Sequence, residues 1–478
     1  MKIVLFYPWS HDTKDGKPGV SALAVSLPPL GLASIAAVLK KAGHDVVLID
    51  ASVNFTTTAE GWADRIVGYK PDVVGFSTIT PTFHSAYIVC SKIKEKDSAI
   101  RTVFGGVHVS WGRDLIINTF PAIDYVIAGE GEYAFLQLVN GDDPGTIAGL
   151  YYRMNGTCEK GPPQDKTTLC VMDELPFPAY DLIDGFPKKY EMPLFSYPRH
   201  PGASVVSSRG CIYQCSYCDR SVFRKSFRWN SPEYTFELVK WLNTDFGIRH
   251  VMFYDDLFTL NKNRVAKLCQ LLRSYKPSIS FNCIVRIGHI DDDLIGELKS
   301  AGCWMVHVGI ESGDQEILDS HKDGLRLSMI RNDIGRLHRA GLWVKGLFML
   351  GFPGETEGSI KKTIDFACSL PLKDANLTAF TPYPGAPVME GIEEHGSFDT
   401  DWSNWSNMDC VNVVFVTKEI GSKEILERYY GEFIRRFYHR SSMRKVYRKM
   451  LWQCPHSYWR LIKHASTFWK YSRKMKSH

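Results

Sequence analysis

The chain has 478 residues, 44% hydrophobic and 23% charged, with a formal net charge of +5. That is too long for one ordinary core and argues for two or three domains. No run approaches the 18 or so uncharged apolar residues of a membrane span, and twelve irregularly spaced cysteines do not read as a disulfide scaffold. A reducing cytoplasm is the compartment this composition suits.

From the N-terminus, short β-rich runs alternate with helical periods. Strands are expected at Lys2–Tyr7, His44–Asp50, Asp72–Ser77, Arg101–Phe104 and Asp124–Ile127, and helices at Gly31–Ala42, Glu60–Tyr69, His84–Lys94 and Glu132–Val139. The opening run Met1–Pro8 is too short in apolar residues for a signal peptide and reads as the first strand. Strand–helix alternation at this spacing predicts βαβ units on a parallel sheet over residues 1–145. Ligands of such sheets bind beyond the carboxyl ends of the strands. The loops there are small and polar, with Ser77, Thr78 and Thr80 in one, Gly105, Gly106 and His108 in the next, and Gly129 and Glu130 in a third. Residues 146–200 are dense in proline and weak in periodicity, which marks a linker. Gly149–Met154 reads as a hairpin strand, and Tyr197 and Arg199 are placed at the edge of the site.

Over residues 201–390 six further strand–helix units predict a partial (β/α)6 barrel, with its chemistry at the strand carboxyl ends. The first strand, Ala203–Ser207, runs into Cys211, Cys215 and Cys218, spaced C-x3-C-x2-C. Thiolates are soft ligands suited to iron–sulfur clusters and zinc. A zinc site would need a fourth ligand with matching spacing, and no second C-x2-C or H-x3-H partner exists in the sequence. Three thiolates on a cubane cluster leave one iron open. Downstream, Asp255 and Asp256 end the second strand, Asn282 and Arg286 the third, and Glu311 and Ser312 the fourth. Gly351 and Pro353 follow the fifth, and Thr381–Ala386, which includes Tyr383, follows the sixth. The planar guanidinium of Arg286 suits a carboxylate. Adjacent acids point to opposite faces of a strand, so one of the Asp255–Asp256 pair is expected to face the interior.

Residues 391–478 read as a mainly helical extension. Trp402 and Trp405 lie in a loop expected to fold over the barrel mouth. Residues 433–478 hold thirteen Lys or Arg and no Asp or Glu, leaving 44 basic against 52 acidic residues, a net −8, on the rest of the chain. Interleaved aromatics such as Tyr447, Trp452 and Trp459 suit an anionic membrane surface or a lipid-like substrate. Nothing else in the chain points to nucleic acid.

The cysteine motif, with Tyr217 just before its last cysteine, resembles the signature of the radical S-adenosylmethionine (SAM) family. The N-terminal domain, through Phe104–His108 and Gly129–Glu132, resembles the cobalamin-binding domain of class B members. Tyr254–Thr259, Gly309–Gly313 and Gly346–Glu355 resemble later motifs of that class in the same order. The fold implied is α/β: a doubly wound, Rossmann-like domain of the cobalamin-binding type, a partial (β/α)6 radical SAM barrel and the helical extension.

The resemblance implies a [4Fe-4S] cluster on Cys211, Cys215 and Cys218. It places SAM against Tyr217, Asp255, Asp256, Arg286, Glu311, Ser312, Gly351 and Pro353, and cobalamin against Ser77, Thr78, Thr80, Gly105, Gly106, His108, Gly129 and Glu130. The D-x-H-x-x-G motif that supplies an axial histidine in other cobalamin proteins is absent, so His108 has either an axial or a packing role. The activity implied is methylation of an unactivated carbon in a natural-product, lipid or tetrapyrrole substrate, by a 5′-deoxyadenosyl radical and methylcobalamin. Oxidative cyclisation, ring contraction or rearrangement on the same cofactors, and a non-catalytic cluster scaffold, stay open as alternatives. Partners expected are a small-molecule or lipid-like substrate, a flavodoxin or ferredoxin as electron donor, and a membrane surface met through 433–478.

Overall fold

The computed structural model describes residues 1–10, 27–54, 57–398 and 405–463. Strands β1 (Lys2–Tyr7), β2 (Asp45–Asp50), β3 (Val73–Ser77), β4 (Arg101–Gly105), β5 (Tyr125–Ile127), β6 (Leu150–Met154) and β7 (Thr157–Lys160) form one sheet in the order β2-β1-β3-β4-β5-β6-β7. The first five run parallel. The last two form an antiparallel hairpin turned by Asn155 and Gly156, both at positive φ, as a two-residue hairpin requires. Alternation along β1 sorts its side chains between two cores. Ile3 and Leu5 pack with helices α1 (Leu30–Lys41) and α5 (Glu132–Asn140), whereas Val4 and Phe6 pack with α2 (Ala59–Gly68), α3 (Phe83–Lys96) and α4 (Val107–Thr119). Helix α4 has no counterpart in the sequence reading. Two valines and Gly112 weaken its propensity, and the backbone leaves helical geometry at Arg113, φ 42°.

The second sheet begins with β8 (Gly202–Val205). After it come a two-residue ladder, β9 (Ser208–Arg209) with β10 (Arg228–Trp229), and then β11 (His250–Phe253), β12 (Ser280–Val285), β13 (Cys303–Glu311), β14 (Trp343–Leu350) and β15 (Asp374–Ala379). Strands β8, β11, β12, β13, β14 and β15 lie side by side in that order, all parallel, so the sheet is an open half-barrel. Its crossovers are α6 (Pro232–Phe246), α7 (Lys262–Ser274), α8 (Asp292–Ser300), α9 (Gln315–His321), α10 (Leu327–Arg339) and α11 (Glu357–Ser369). Side-chain caps start several of them at the functional end of the barrel: Ser231 accepts from Tyr234 N, Asp291 from Leu294 N and Thr356 from Ser359 N. Each such cap contributes about 0.5–2 kcal/mol.

A small ladder, β16 (Gly396–Phe398) with β17 (Phe415–Thr417), precedes three helices, α12 (Lys423–Tyr438), α13 (Ser441–Gln453) and α14 (Pro455–Lys463). Helix α12 packs on the barrel, its Phe433 ring 5.3 Å from Phe348. Helix α14 reaches the linker, where Arg460 Nη1 donates to the Met192 carbonyl at 2.7 Å. Trp405 differs from expectation: it packs on Phe83 and His108 of the first domain, at 5.6 and 4.3 Å, not over the barrel mouth. Trp402 and the basic stretch after Lys463 fall outside the described residues.

Candidate functional site

The loop bearing the three cysteines leaves β8 through Ser207, Ser208 and Arg209, and both acids at the end of β11 hold it. Asp255 is fully buried and accepts from Ser207 N (2.7 Å), Ser207 Oγ (2.7 Å) and Ser208 Oγ (2.6 Å). Asp256 faces the other way and accepts from Gly210 N at 2.9 Å. Gly210 sits at φ +88°, and a Cβ there would lie 2.2 Å from Ser226 O. Both acids lie just past the end of β11, and their partners on the cluster loop divide the pair. Asp256 lines a cavity; Asp255 is a clamp on the serines and does not reach a ligand.

Cys211 and Cys215 are half-buried and Cys218 is exposed, all three as free thiols. Burial, with the neighbouring Cys215 and Asp256 charges, pushes the Cys211 thiol up. Cluster loading must release the thiol protons. Among the described residues, the metal-ligating triads whose donor atoms all lie within 4.8 Å are Glu191–His200–His456 and Glu130–Glu132–Cys170, not the loop cysteines. Thiolates sharing one zinc at about 2.3 Å would lie about 3.8 Å apart. The wider trio suits a multi-iron cluster.

Two residues missed in the sequence brace the site, His321 at this loop and Lys322 at Glu311. His321, at the end of α9, bridges Ser216 Oγ (2.8 Å to Nδ1) and the Pro353 carbonyl (2.9 Å to Nε2). A carbonyl only accepts, so Nε2 carries the proton and Nδ1 accepts from Ser216; burial lowers the His321 pKa and keeps the ring neutral. Lys322 donates to Glu311 Oε1 at 2.5 Å and to Gly309 O at 2.8 Å. It thereby fixes Glu311 in a β-bulge at φ +66°, a conformation costly for a non-glycine residue. His321 and Lys322 close a short helix whose sequence carries no recognisable pattern.

The other expected SAM contacts separate into two groups. Tyr217 packs edge-on against Phe352, 5.6 Å between centroids, and its pKa is raised by burial and then by the nearby Glu311 and Cys215 charges. Gly351, at φ +97°, and Phe352 donate their amides to buried Glu355 at 2.5 and 3.3 Å. Ser312, by contrast, is turned away onto Thr363 Oγ1 at 3.1 Å. Arg286 lies flat on the Tyr213 ring, 3.4 Å from its centroid, and donates to the Asp323 carbonyl. Its guanidinium is already engaged, which differs from the expected carboxylate fork. Tyr197 and Arg199 sit at the opposite end of the barrel, bonded to Glu191 and Ser278, because the linker runs beneath the strand starts.

The two sheets face each other across a cavity. Ser77, Gly105, Gly106, Gly129 and Glu130 line it from the first, and Ser208, Arg209, Tyr254 and Asp256 from the barrel side. Gly106 is at φ +98°, and a Cβ there would lie 2.3 Å from Thr78 O, so this floor must be bare backbone. Glu130 and Glu132 are tied to the cluster loop by Arg209, at 2.9 and 2.6 Å, and Glu130 also pairs with Arg228.

Three expected cobalamin contacts lie off the cavity. Thr78 donates its hydroxyl to Gly105 O, and Thr80 bonds His108 Nδ1 at 3.3 Å. His108 is buried between Phe83 and Trp405, and burial lowers its pKa to about 3. It packs the domain, and no imidazole lines the cavity among the described residues.

Residues 16–139 match the B12 binding domain family and residues 205–367 the Radical SAM superfamily. An uncharacterized methyltransferase of Pyrococcus horikoshii, PH0819, is 31% identical over 442 residues, covering 91% of this chain and 93% of that protein. The chain belongs to the cobalamin-dependent radical SAM family. The anaerobic magnesium-protoporphyrin IX monomethyl ester cyclase of Rubrivivax gelatinosus is 24% identical over 94% of this chain and 80% of its own length. The radical SAM methyltransferase TsrM of Kitasatospora setae, solved with cobalamin and a [4Fe-4S] cluster, shares the fold at a TM-score of 0.67 and 15% identity, over 91% of this chain and 88% of TsrM.

The cofactors of this radical SAM enzyme are a [4Fe-4S] cluster, SAM and cobalamin. Its residues fit them: three free thiols on one loop whose donor atoms are not all within 4.8 Å of one another, and a floor of bare backbone at Gly105, Gly106 and Gly129. Among the described residues no helix is long and apolar enough to cross a membrane.

Proposed function

We propose that the enzyme methylates an unactivated carbon of an apolar small molecule, a lipid-like compound or a tetrapyrrole, on the cytoplasmic side. When bound, the cofactors supply a hydrogen-abstracting radical and a methyl group; the protein supplies placement, water exclusion and electrostatics. Residues 201–390 carry the cluster and SAM; the first sheet, which its β6–β7 hairpin extends past the expected boundary at 145 to residue 160, carries the corrin, and the chain from there to 200 joins them. Cys211, Cys215 and Cys218 are the iron ligands. Asp256, Glu311 and the Gly351–Pro353 turn orient SAM, with Lys322 holding the Glu311 carboxylate in place. Gly105, Gly106 and Gly129 let the backbone floor approach the macrocycle.

The observation that carries this reading is the shared cavity. Asp256, whose carboxylate is bonded inside the cluster loop, and the glycine floor of the first sheet line the same space. A methyl donor and a radical source can then act on one substrate placed between them. An external single-electron donor, flavodoxin- or ferredoxin-like, has access from the exposed Cys218 side.

The test is product stoichiometry in anaerobically reconstituted enzyme given candidate substrates. Methylation forms S-adenosylhomocysteine and 5′-deoxyadenosine in equal amounts with a methylated product. 5′-Deoxyadenosine without S-adenosylhomocysteine would replace methylation by cyclisation, the chemistry named for the Rubrivivax relative.

A further inference from the structure

Helix α14 is amphipathic in the reverse of the usual sense. Its inward face is polar: Ser457 is fully buried and accepts from Phe195 N at 3.0 Å. Arg460, 2% exposed, reaches the Met192 carbonyl at 2.7 Å and the Glu191 carboxylate at 3.6 Å. Its outward face is apolar, with Trp459 54% and Ile462 75% exposed. The end of the neighbouring helix α13 adds Leu451 at 50% and Trp452 at 88%, while its Met443, Val446 and Met450 point inward. A helix packed against water alone puts its apolar stripe inward. Here polar anchors hold the helix down and leave the apolar side chains standing out.

The charge carried by these two helices has one sign. Arg444, Lys445, Arg448, Lys449 and Lys463 are exposed on the same two helices, and the sequence has no acidic residue from 433 to 478. We propose that this face of α13 and α14 docks the enzyme on an anionic lipid surface, Trp452, Trp459 and Ile462 entering the headgroup–acyl boundary and the basic side chains meeting lipid phosphates. Tryptophan is the residue best suited to that boundary. Aliphatic tips such as Leu451 and Ile462 gain from an acyl layer and gain nothing from nucleic-acid phosphates or bases. A second copy of the chain would bring the same positive charge to the contact. The proposal does not depend on whether a methyl group is transferred.

The test is co-sedimentation of the full-length, cluster-loaded enzyme with vesicles of phosphatidylglycerol and phosphatidylcholine in equal parts, against phosphatidylcholine alone. Binding is expected on the anionic vesicles only, weakening as salt is raised. Trp452→Glu with Ile462→Glu should weaken it by roughly tenfold or more, and Lys445→Ala or Arg448→Ala by roughly fivefold each. Both glutamates replace exposed side chains, so cluster absorbance and helical circular dichroism should be unchanged. Failure of the wild type to pellet with anionic vesicles, or equal pelleting of the double variant, overturns the proposal. So does a dimer that the two glutamates disperse, or a single-stranded oligonucleotide whose binding they abolish, since either assigns the face to another occupant. All of these readouts stand apart from product analysis, so failure here leaves the methylation proposal untouched.

Discussion

Replacing Arg209 by Met cuts the charge link between the two halves of the enzyme at the site itself. The guanidinium lies 2.9 Å from Glu130 and 2.6 Å from Glu132, and the three side chains are 12%, 3% and 5% exposed. Without it Glu130 keeps Arg228. Glu132 keeps the Ser34 hydroxyl at 2.8 Å, its own backbone amide and the weak thiol donor of Cys170, none of them charged. Stripping a buried carboxylate of its cation costs about 3–5 kcal/mol. At about 2–4 °C per kcal/mol for a 150–250-residue unit, the unfolding midpoint should fall by roughly 6–20 °C.

The pH dependence should change sign as well. In the wild type burial pushes the Glu132 carboxyl up, but the Arg209 charge and the bonds from Arg209 and Ser34 outweigh it and hold the pKa below the ordinary value. A carboxylate held low contributes stability above its unfolded pKa and loses it only as pH falls through the folded one. In the variant burial dominates, the folded pKa rises above the unfolded one, and stability is lost as pH rises. Between about pH 7 and pH 5 the wild-type contribution is level while the variant recovers stability. Anaerobic thermal unfolding of the full chain across that range reads both effects. A midpoint shift below about 2 °C, or parallel pH profiles, would mean that Glu132 does not depend on Arg209 for its charge.

Other substitutions test separate parts of the site. Gly106→Ala puts a Cβ 2.3 Å from Thr78 O at φ +98°; cobalamin loading, read as bound corrin absorbance, should fall severalfold while the cluster still assembles. His321→Ala removes the bridge between Ser216 and Pro353, and iron retained after desalting should drop, with partial recovery in His321→Gln. On the proposed role of Glu311 in orienting SAM, Glu311→Ala forfeits a charge-assisted hydrogen bond worth about 1.5–3 kcal/mol, and SAM should bind roughly 10- to 150-fold more weakly by equilibrium dialysis. Burial pushes the Glu355 carboxyl from 4.5 up to about 8. That raised pKa makes the wild type lose stability as pH climbs between those values, and Glu355→Gln should flatten this slope in urea titrations.

Much of the scaffold was legible because parallel strands buried on both faces read as apolar runs, as in Lys2–Tyr7 and Trp343–Leu350. The cysteine loop was legible because thiolate spacing is local. What escaped the sequence depends on contacts between distant segments. Asp255 and Asp256 are adjacent, yet only Ser207, Ser208 and Gly210 decide which becomes a clamp. Arg286 is drawn onto Tyr213 and Asp323, and His108 is closed over by Trp405, about three hundred positions later in the chain. Helix α4 was hidden by its valines and its kink at Arg113. The Arg209 link to Glu130 and Glu132 joins two domains, and no periodicity within either one announces it.

Radical chemistry in this enzyme requires that Cys211, Cys215 and Cys218 hold an iron–sulfur cluster with one iron free for SAM. Electron paramagnetic resonance of the anaerobic, dithionite-reduced protein, recorded before and after SAM is added, asks this directly. A reduced [4Fe-4S] signal is expected whose g values move on SAM addition and which disappears in Cys215→Ala. Bound zinc in its place, or a cluster spectrum indifferent to SAM, would contradict that expectation.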